Sequence, residues 1–227
     1  MKQKLPIYEH FFTWQGEGIH QGRSAYFIRT FGCPVQCPWC DSAGTWHPNY
    51  IPNSIEKISP EVLVELALKK KPSILVVTGG EPAIHDLSEL TELCHEKRLP
   101  IHIETSGAFP IRGTFDWVTL SPKVWKRPIK ESMLLADELK IIVDSENSIE
   151  DWLSSNPEIL QCKTIWLHPE WTQRNNPLIL DRITDTIKQY GDPFRAGYQL
   201  HKLFSVDQKD PGSKPNIPIG GNPSLGY

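Results

Sequence analysis

The chain has 227 residues, of which 39 % are hydrophobic and 22 % are charged, and its formal net charge is −3. This is the composition of a globular protein and excludes a largely disordered one. The near balance of 24 basic and 27 acidic residues argues against non-specific nucleic-acid binding, which needs a basic field. The longest aliphatic run, residues 74–77, is too short to cross a bilayer, and the N-terminus lacks the pattern of a secretory signal, so we expect a cytoplasmic protein.

Segments rich in β-branched and aromatic residues alternate with amphipathic segments along most of the chain. Helices are expected after Ser59 with Pro60, after Asp86 with Glu89 as a capping box, and from Asn176 onward. The alternation predicts a parallel α/β sheet, either an open doubly wound sheet or an incomplete barrel, whose site lies in loops after the C-terminal ends of the strands. Strands are predicted at residues 25–30, 73–78, 101–104, 117–120, 139–143 and 164–167, with a last candidate at 195–200.

The C-terminal segment 207–227 differs in composition from the rest of the chain. It holds four Pro and four Gly in 21 residues and has few apolar anchors. We therefore predict a catalytic domain at residues 1–206 and a Pro/Gly-rich tail at 207–227 that is mobile or lies over the surface.

Three of the five cysteines, Cys33, Cys37 and Cys40, fall within eight residues directly after the first predicted strand. The odd number of cysteines excludes complete intramolecular pairing, and in a reducing compartment such a cluster more often holds a metal than a disulfide. Two prolines and a preceding glycine exclude a regular helix, so we interpret the segment as a loop wrapped around a bound group.

Two kinds of metal site fit this loop. A zinc site completed by His47 or Asp41 is one, although a structural zinc site usually brings its other ligands as a second close pair, and no such pair follows. A four-iron cluster is the other, because three thiolates leave one iron open for an exogenous molecule. The pattern favours the iron–sulfur cluster.

The spacing Cys-x3-Cys-x2-Cys, with Trp39 before the last cysteine, resembles the signature of radical S-adenosylmethionine (SAM) enzymes. In that superfamily the open iron chelates SAM, and electron transfer cleaves SAM to methionine and a 5′-deoxyadenosyl radical. A second motif, residues 78–82 (Thr-Gly-Gly-Glu-Pro), resembles the superfamily's glycine-rich SAM-binding element. Its two glycines allow close approach of the backbone, and its carboxylate can accept from an ammonium group.

Further segments resemble one family, the 7-carboxy-7-deazaguanine synthases of queuosine and deazapurine biosynthesis, and the similarity covers residues 5–205 in order. The resemblance implies conversion of 6-carboxy-5,6,7,8-tetrahydropterin to 7-carboxy-7-deazaguanine with loss of ammonia, after abstraction of the hydrogen at C6. It implies an incomplete, modified (βα) barrel of the radical SAM type with about six parallel strands, a magnesium ion, a homodimer, a flavodoxin- or ferredoxin-like electron donor, and no nucleic-acid or membrane partner. The segments are residues 12–18, 27–29, 41–42, 104–107, 121–123 and 138–140.

Carried over residue by residue, the resemblance implies roles for individual side chains. The [4Fe-4S] cluster is assigned to Cys33, Cys37 and Cys40, and magnesium to Ser42. SAM contacts are implied for Trp39, Cys40, Asp41, Gly80, Ser121, Pro122 and Lys123. Substrate contacts are implied for Trp14, Gln15, Gly16, Arg29 and Thr78.

The chain departs from the family pattern at Ser42, Ser106 and His168, where threonine, asparagine and glutamine are usual. Ser42 keeps the hydroxyl, whereas Ser106 and His168 are assigned no role, and His168 fits a satisfied core histidine equally well. Without the family, Arg29 reads equally as an arginine in a salt bridge, and Glu104 as a turn carboxylate.

Two other functions stay open at this point. One is a small activase that generates a glycyl radical on a partner protein, because such enzymes are short and carry the same cysteine spacing. The other is a zinc-stabilised binding module.

Overall fold

The computed structural model describes residues 3–145, 148–155 and 157–215. These residues form one nine-stranded sheet with helices packed against it. The strands are β1 (Leu5–Trp14), β2 (Ser24–Thr30), β3 (Glu56–Ile58), β4 (Ile74–Gly79), β5 (Ile101–Thr105), β6 (Trp117–Leu120), β7 (Glu138–Val143), β8 (Ile165–Pro169) and β9 (Phe194–Ala196). The helices are α1 (Pro60–Lys70), α2 (Ser88–Glu96), α3 (Lys130–Leu135), α4 (Ser148–Ser155), α5 (Pro177–Tyr190) and α6 (Leu200–Phe204).

The strand order is β3-β1-β2-β4-β5-β6-β7-β8-β9, and the sheet has two free edges. The strands from β2 through β4 to β9 are parallel, whereas β1 is antiparallel to both β2 and β3. A doubly wound sheet would reverse the order of its parallel strands at a switch point. Among the described residues, the parallel strands β2 and β4 to β9 lie side by side in chain order without such a reversal. The architecture is therefore the predicted incomplete barrel, and the last candidate strand brings its parallel strands to seven.

The two faces of the sheet have different chemistry because side chains alternate along each strand. Ile103 and Ile141 point to the outer face and are fully buried in the main hydrophobic core, together with Leu63 of α1 and Ile183 of α5. The residues between them in the strands point to the opposite, inner face. That face carries a smaller apolar cluster at β1, β2 and β4 and polar side chains at β5 to β8.

Most predicted elements are present with bounds shifted by one or two residues. The side chain of Asn176 accepts from Leu178 N (3.1 Å) and caps the start of α5. Gly191, with φ +63°, caps its C-terminal end as predicted. The capping box before α2 is wrong, because Asp86 accepts from Ser88 N (3.0 Å) and precedes the helix by two residues. The predicted strand at 195–200 is too long, since β9 ends at residue 196 and α6 begins at residue 200.

Strands β1 and β3 lack any counterpart in the prediction. Strand β1 matters for the site because it sets where the loop to β2 leaves the sheet. Trp14 at its end pairs with Ser24, the first residue of β2, so the connecting loop leaves the sheet at the N-terminal end of the parallel strands. This loop then turns into the inner face. Ile19 N donates to the Glu138 carboxylate of β7 (3.0 Å), which also accepts from Trp166 Nε1 of β8 (2.7 Å).

The predicted tail is described as far as residue 215. Asp207 accepts from Thr13 Oγ1 (2.6 Å) and Lys214 N donates to Glu9, so residues 207–215 lie against β1. Residues 216–227 of the predicted tail are outside the described residues, and the domain boundary at residue 206 stays a prediction. No helix in the described part of the chain has the length and apolar character to span a membrane.

Candidate active site

A cavity of about 220 Å³ lies against the inner face of the sheet. The cluster loop, residues 31–42, lines it at the C-terminal ends of the strands, and the β1–β2 loop lines it from below. All the residues to which the sequence assigns the cluster, magnesium, SAM or substrate line this cavity, except Pro122. The structure thus brings together side chains from both ends of the strands, whereas the sequence predicted a site at the C-terminal ends.

The three cluster-loop cysteines are half-buried free thiols in a segment without helix, as predicted. Burial raises the pKa of Cys37 to about 12, and burial together with the neighbouring Asp41 raises the pKa of Cys40 to about 11. Ser42 N (3.4 Å) and Trp46 Nε1 (3.5 Å) donate to Cys40 Sγ, which favours its thiolate. Because burial raises these pKa values, the cysteines would become thiolates only when a positively charged group, such as a metal centre, binds them.

The geometry distinguishes between the two candidate groups. Within the described ranges, no three His, Cys, Asp or Glu side chains converge closely enough to hold a single metal ion. An iron–sulfur cluster takes one thiolate on each of several irons, so its ligands stand further apart. The three thiols beside one cavity therefore fit a cluster and fit a single zinc ion poorly.

The glycine-rich motif packs against the cluster loop. Gly80 N donates to Thr30 O (3.0 Å), and a Cβ on Gly80 would lie 2.3 Å from Gly32 O, so no larger residue fits there without a shift of the backbone. Gly79 has φ +145°, a conformation that side chains rarely adopt. The glycines bring the end of β4 onto the loop that carries Cys33, while Gly80 also lines the cavity.

The carboxylate of this motif is occupied by protein donors. Glu81 is 1 % exposed and accepts from Ala83 N (3.0 Å), Ser106 N (2.9 Å) and the hydroxyls of Thr105 and Ser106. The expectation that Glu81 accepts from an ammonium group of a ligand therefore finds no support. Ser106, which was assigned no role, ties this carboxylate to the end of β5.

Asp41 and Ser42 form a small polar network with α6. Lys202 Nζ lies 2.7 Å from Asp41 Oδ2, and Ser42 Oγ donates to Asp41 Oδ1 (3.1 Å). Burial disfavours the charged carboxylate, but the Lys202 ammonium outweighs it and holds the pKa of Asp41 well below its usual range. Sequence reasoning missed Lys202, which lies far along the chain in a short helix.

The Ser121-Pro122-Lys123 segment folds onto Trp39. Lys123 Nζ donates to Ser121 Oγ (2.8 Å) and lies 5.2 Å from the centre of the Trp39 ring. Burial lowers the pKa of Lys123. Pro122 is buried and does not line the cavity, so its predicted contact with SAM stays a prediction without a contact to support it.

Arg29 takes part in a salt bridge and also lines the cavity. Its Nε donates to Glu9 Oε1 (2.7 Å), as the salt-bridge interpretation expects. Among the described residues, neither terminal nitrogen of Arg29 has a hydrogen-bond partner. These nitrogens are therefore available to an anionic group in the cavity.

The substrate side of the cavity holds two further carboxylates, of which Glu17 is buried and Glu104 is half-buried. Glu104 accepts from Gln15 Nε2 (2.8 Å) and Thr78 Oγ1 (3.4 Å), so it contacts two predicted substrate residues. Glu17 forms an ion pair with Lys140 of β7, and this pairing holds the pKa of Glu17 far below its usual range despite burial. Sequence analysis included residues 138–140 among the segments that carry the resemblance, but it gave Lys140 no role. The alternation of polar and apolar residues in β7 is the signal that could have found it.

His168 departs from the expectation of a satisfied core histidine. It is 1 % exposed, and neither ring nitrogen has a partner within the described residues. Burial lowers its pKa to about 4. It borders a second, very small cavity next to Glu17 and Lys140, so its ring contributes to the polar inner face.

Comparison with known proteins identifies the class. Residues 27–133 match the radical SAM superfamily model. The chain is 40 % identical to a 7-carboxy-7-deazaguanine synthase from Synechocystis sp. over 88 % of this chain and 93 % of the relative. A synthase of the same name from Flavobacterium psychrophilum is 37 % identical over 90 % of this chain and 93 % of the relative. The crystal structure of QueE from Escherichia coli is similar with a TM-score of 0.72 at 30 % identity, covering 87 % of this chain and 95 % of that one.

The fold, the cysteine loop and the family match define a radical SAM enzyme. Membership of this superfamily implies a [4Fe-4S] cluster and SAM. At this level of identity and coverage, the chain belongs to the 7-carboxy-7-deazaguanine synthase family.

Replacing His168 by Gln should weaken the acid sensitivity of the fold. The pKa of His168 is about 4 in the folded chain and near 6.5 when unfolded, so unfolding takes up a proton between these values. The free energy of unfolding should therefore fall by on the order of 3 kcal/mol per such group as the pH drops from about 6.5 to about 4. Urea titrations across this range should show a flatter dependence for His168→Gln than for the parent chain at equal cluster loading.

His102 provides a matched comparison, because burial also lowers its pKa to about 4. His102→Gln should flatten the dependence in the same direction. If both variants lose stability on acidification as steeply as the parent chain, the two histidines do not carry this effect.

Proposed function

We propose that the chain converts 6-carboxy-5,6,7,8-tetrahydropterin to 7-carboxy-7-deazaguanine with loss of ammonia. The observation that carries this proposal is one cavity that joins three free cysteines, at one end of the sheet, to charged side chains of the inner face. Membership of the 7-carboxy-7-deazaguanine synthase family supports the same reaction. It also argues against the glycyl-radical activase, and the spread of the thiols argues against the zinc module.

The proposed cofactor residues follow from the cavity wall. Cys33, Cys37 and Cys40 would hold the cluster, and when bound the reduced cluster and SAM supply the 5′-deoxyadenosyl radical. The protein's part is to shield the radical and to orient SAM and the substrate. The residues proposed to face SAM are Trp39, Cys40, Asp41, Gly80, Ser121, Pro122 and Lys123, of which Pro122 has the weakest support.

The proposed substrate residues lie on the opposite side of the cavity. The free terminal nitrogens of Arg29 form a fork that matches the carboxylate of the pterin. The amino group and ring N–H groups of a pterin are hydrogen-bond donors. The carboxylates of Glu17 (buried) and Glu104 (half-buried) line the cavity, and their oxygens, which already accept from protein donors, keep lone pairs for further hydrogen bonds. Trp14, Gln15, Gly16 and Thr78 line the same region and complete the proposed substrate contacts.

Ser42 is the proposed protein ligand of a magnesium ion. Its side chain lines the cavity next to Asp41, and hydroxyl and carboxylate oxygens are the ligands that magnesium prefers. Its hydroxyl makes no capping bond to the turn that follows it among the described residues, so it is not engaged as a turn cap. One neutral hydroxyl is a weak site until a substrate carboxylate joins it.

We further propose a cytoplasmic homodimer that receives electrons from a flavodoxin- or ferredoxin-like protein. Exposed apolar side chains such as Leu134 (76 % exposed) support a self-association surface. For the electron donor, Trp125 is exposed and donates Nε1 to Val35 O of the cluster loop (3.0 Å), so the surface around Trp125 contacts the loop that would hold the cluster. An acidic donor would suit the neighbouring Lys126 and Arg127.

Purified chain incubated anaerobically with SAM, reductant and the carboxypterin should release 7-carboxy-7-deazaguanine and ammonia. Mass spectrometry of the product and an ammonia assay measure this directly. The isolated protein should carry about four irons and four sulfides per chain, as a [4Fe-4S] cluster requires. One zinc per chain without sulfide, and no product, would contradict the proposal.

Changing any one of Cys33, Cys37 or Cys40 to Ala should abolish cluster assembly, because two thiolates are too few to anchor three irons. The visible absorbance of the cluster and iron analysis report the loss. Cys94 is buried in the main core and Cys162 packs against it, so both are small apolar fillers. Cys94→Ala and Cys162→Ala are therefore the controls, and loss of the cluster in either folded control would make the ligand assignment wrong.

Ser42→Ala should remove most of the stimulation of turnover by magnesium, whereas Ser42→Thr should keep or strengthen it. The alanine variant lacks the oxygen ligand, while threonine retains it on a stiffer side chain. Magnesium should act mainly by lowering the apparent KM for the pterin. Steady-state kinetics across a magnesium titration test this, and an alanine variant with unchanged magnesium dependence would leave the hydroxyl without a role in metal binding.

A further inference from the structure

Residues 207–215, which we call the strap, run along β1 and meet the substrate side of the cavity. The strap begins at Asp207, which lines the cavity and accepts from Thr13 Oγ1 of β1 (2.6 Å). It ends where Lys214 N donates to the Glu9 carboxylate of β1. Composition predicted a mobile or surface-lying tail here, and nothing in the sequence motifs gives the segment a role.

The strap is fixed to β1 by close packing as well as by hydrogen bonds. A Cβ on Gly212 would lie 2.3 Å from His10 O, so only glycine lets the strap approach the β1 backbone at this point. Gly212 N donates to Asp210 Oδ1 (2.8 Å), and Lys214 Nζ lies 4.3 Å from the centre of the Tyr8 ring. The contacts of Gly212 and of the Lys214 side chain therefore fix where the backbone N–H of Lys214 lies.

Glu9 connects the strap to Arg29, which lines the cavity. Its Oε2 accepts from Lys214 N and its Oε1 accepts from Arg29 Nε (2.7 Å), so one carboxylate joins the strap to Arg29. The Glu9 side chain is 5 % exposed and that of Arg29 is 17 % exposed. A buried carboxylate with both oxygens bound has one orientation, and Arg29, which it holds through Nε, lines the cavity with no hydrogen-bond partner on its terminal nitrogens among the described residues.

We propose that Glu9 and the strap are positioning elements that orient Arg29 toward the carboxylate of the substrate. This inference rests on the proposed function, in which Arg29 binds the pterin carboxylate. If the strap is displaced, Glu9 loses a partner and the Arg29 fork loses its orientation. The chain should then lose its preference for a carboxylated pterin while the rest of the cavity is unchanged.

Two variants test the two links separately in the full-length chain. Gly212→Ala moves the strap away from His10 O without changing any charge. Glu9→Gln keeps the size of the side chain, but its amide nitrogen cannot accept, so it can hold only one of Arg29 Nε and Lys214 N. Ser213→Ala is the matched control, because it changes the same strap at a side chain that makes no hydrogen bond to β1 among the described residues.

Binding is measured on cluster- and SAM-loaded protein without reductant, so that no turnover occurs. The two probes are 6-carboxy-5,6,7,8-tetrahydropterin and 6-methyl-5,6,7,8-tetrahydropterin, which lacks the carboxylate. Gly212→Ala and Glu9→Gln should each raise the Kd of the carboxylated probe about tenfold and leave that of the methyl probe unchanged, since only the former uses the Arg29 fork. In turnover the same variants should raise KM more than they lower kcat.

The result that overturns the inference is distinct from failure of the proposed function. If the parent chain forms product but both variants bind the two probes as Ser213→Ala does, the strap does not position Arg29. Equal loss of affinity for both probes, with a lower melting temperature, would mean that the strap only stabilises the fold. If the parent chain neither binds nor converts the carboxylated pterin, the proposed function itself fails.

Discussion

The charged inner face of an open sheet is the constraint on which the rest of the structure depends. The sheet runs from edge to edge without closing, so opposite strands do not fill its inner face. The charged side chains of Glu104, Glu138 and Lys140 lie there, buried or half-buried. Buried charges need partners, because desolvation of an unpaired charge costs several kcal/mol, on the order of the whole stability of a small domain. Residues 15–19 supply those partners by turning into the sheet from its N-terminal end. The same loop thereby becomes one wall of the cavity.

Ion pairs between distant segments repeat this principle around the cavity. Each pair joins a residue of the cavity wall to a different element: β1 is joined to β2, the β1–β2 loop to β7, and the cluster loop to α6. Buried pairs contribute little net stability compared with apolar residues of the same size, so their consequence here is geometric: each holds a functional side chain in one orientation. The pairs are Glu9–Arg29, Glu17–Lys140 and Asp41–Lys202.

The cluster loop depends on backbone packing more than on charge. Gly79 and Gly80 let the end of β4 lie against the loop, and Glu81 then ties that end to β5 through Ser106. The motif that resembles a ligand-binding element therefore also builds the support of the cysteine loop. Two neighbouring strand ends and the loop form a single unit, which gives a bound cluster a fixed place relative to the polar inner face.

The sequence by itself determined the parallel α/β class and the cysteine loop, because strand alternation, glycine turns and cysteine spacing are local signals. Its family resemblance also pointed to a set of site residues, of which all but Pro122 line the cavity. It did not determine β1, the insertion of the loop at residues 15–19, or the path of the strap, and it left Lys202 without a role. These features depend on pairs far apart in the chain: Lys202 meets Asp41 across 161 residues, and Lys214 N meets Glu9 across 205. Only the folded sheet brings such segments together. A charged side chain at the cavity pairs with whichever residue lies next to it in the folded chain, and such a pairing leaves no periodic pattern in the sequence.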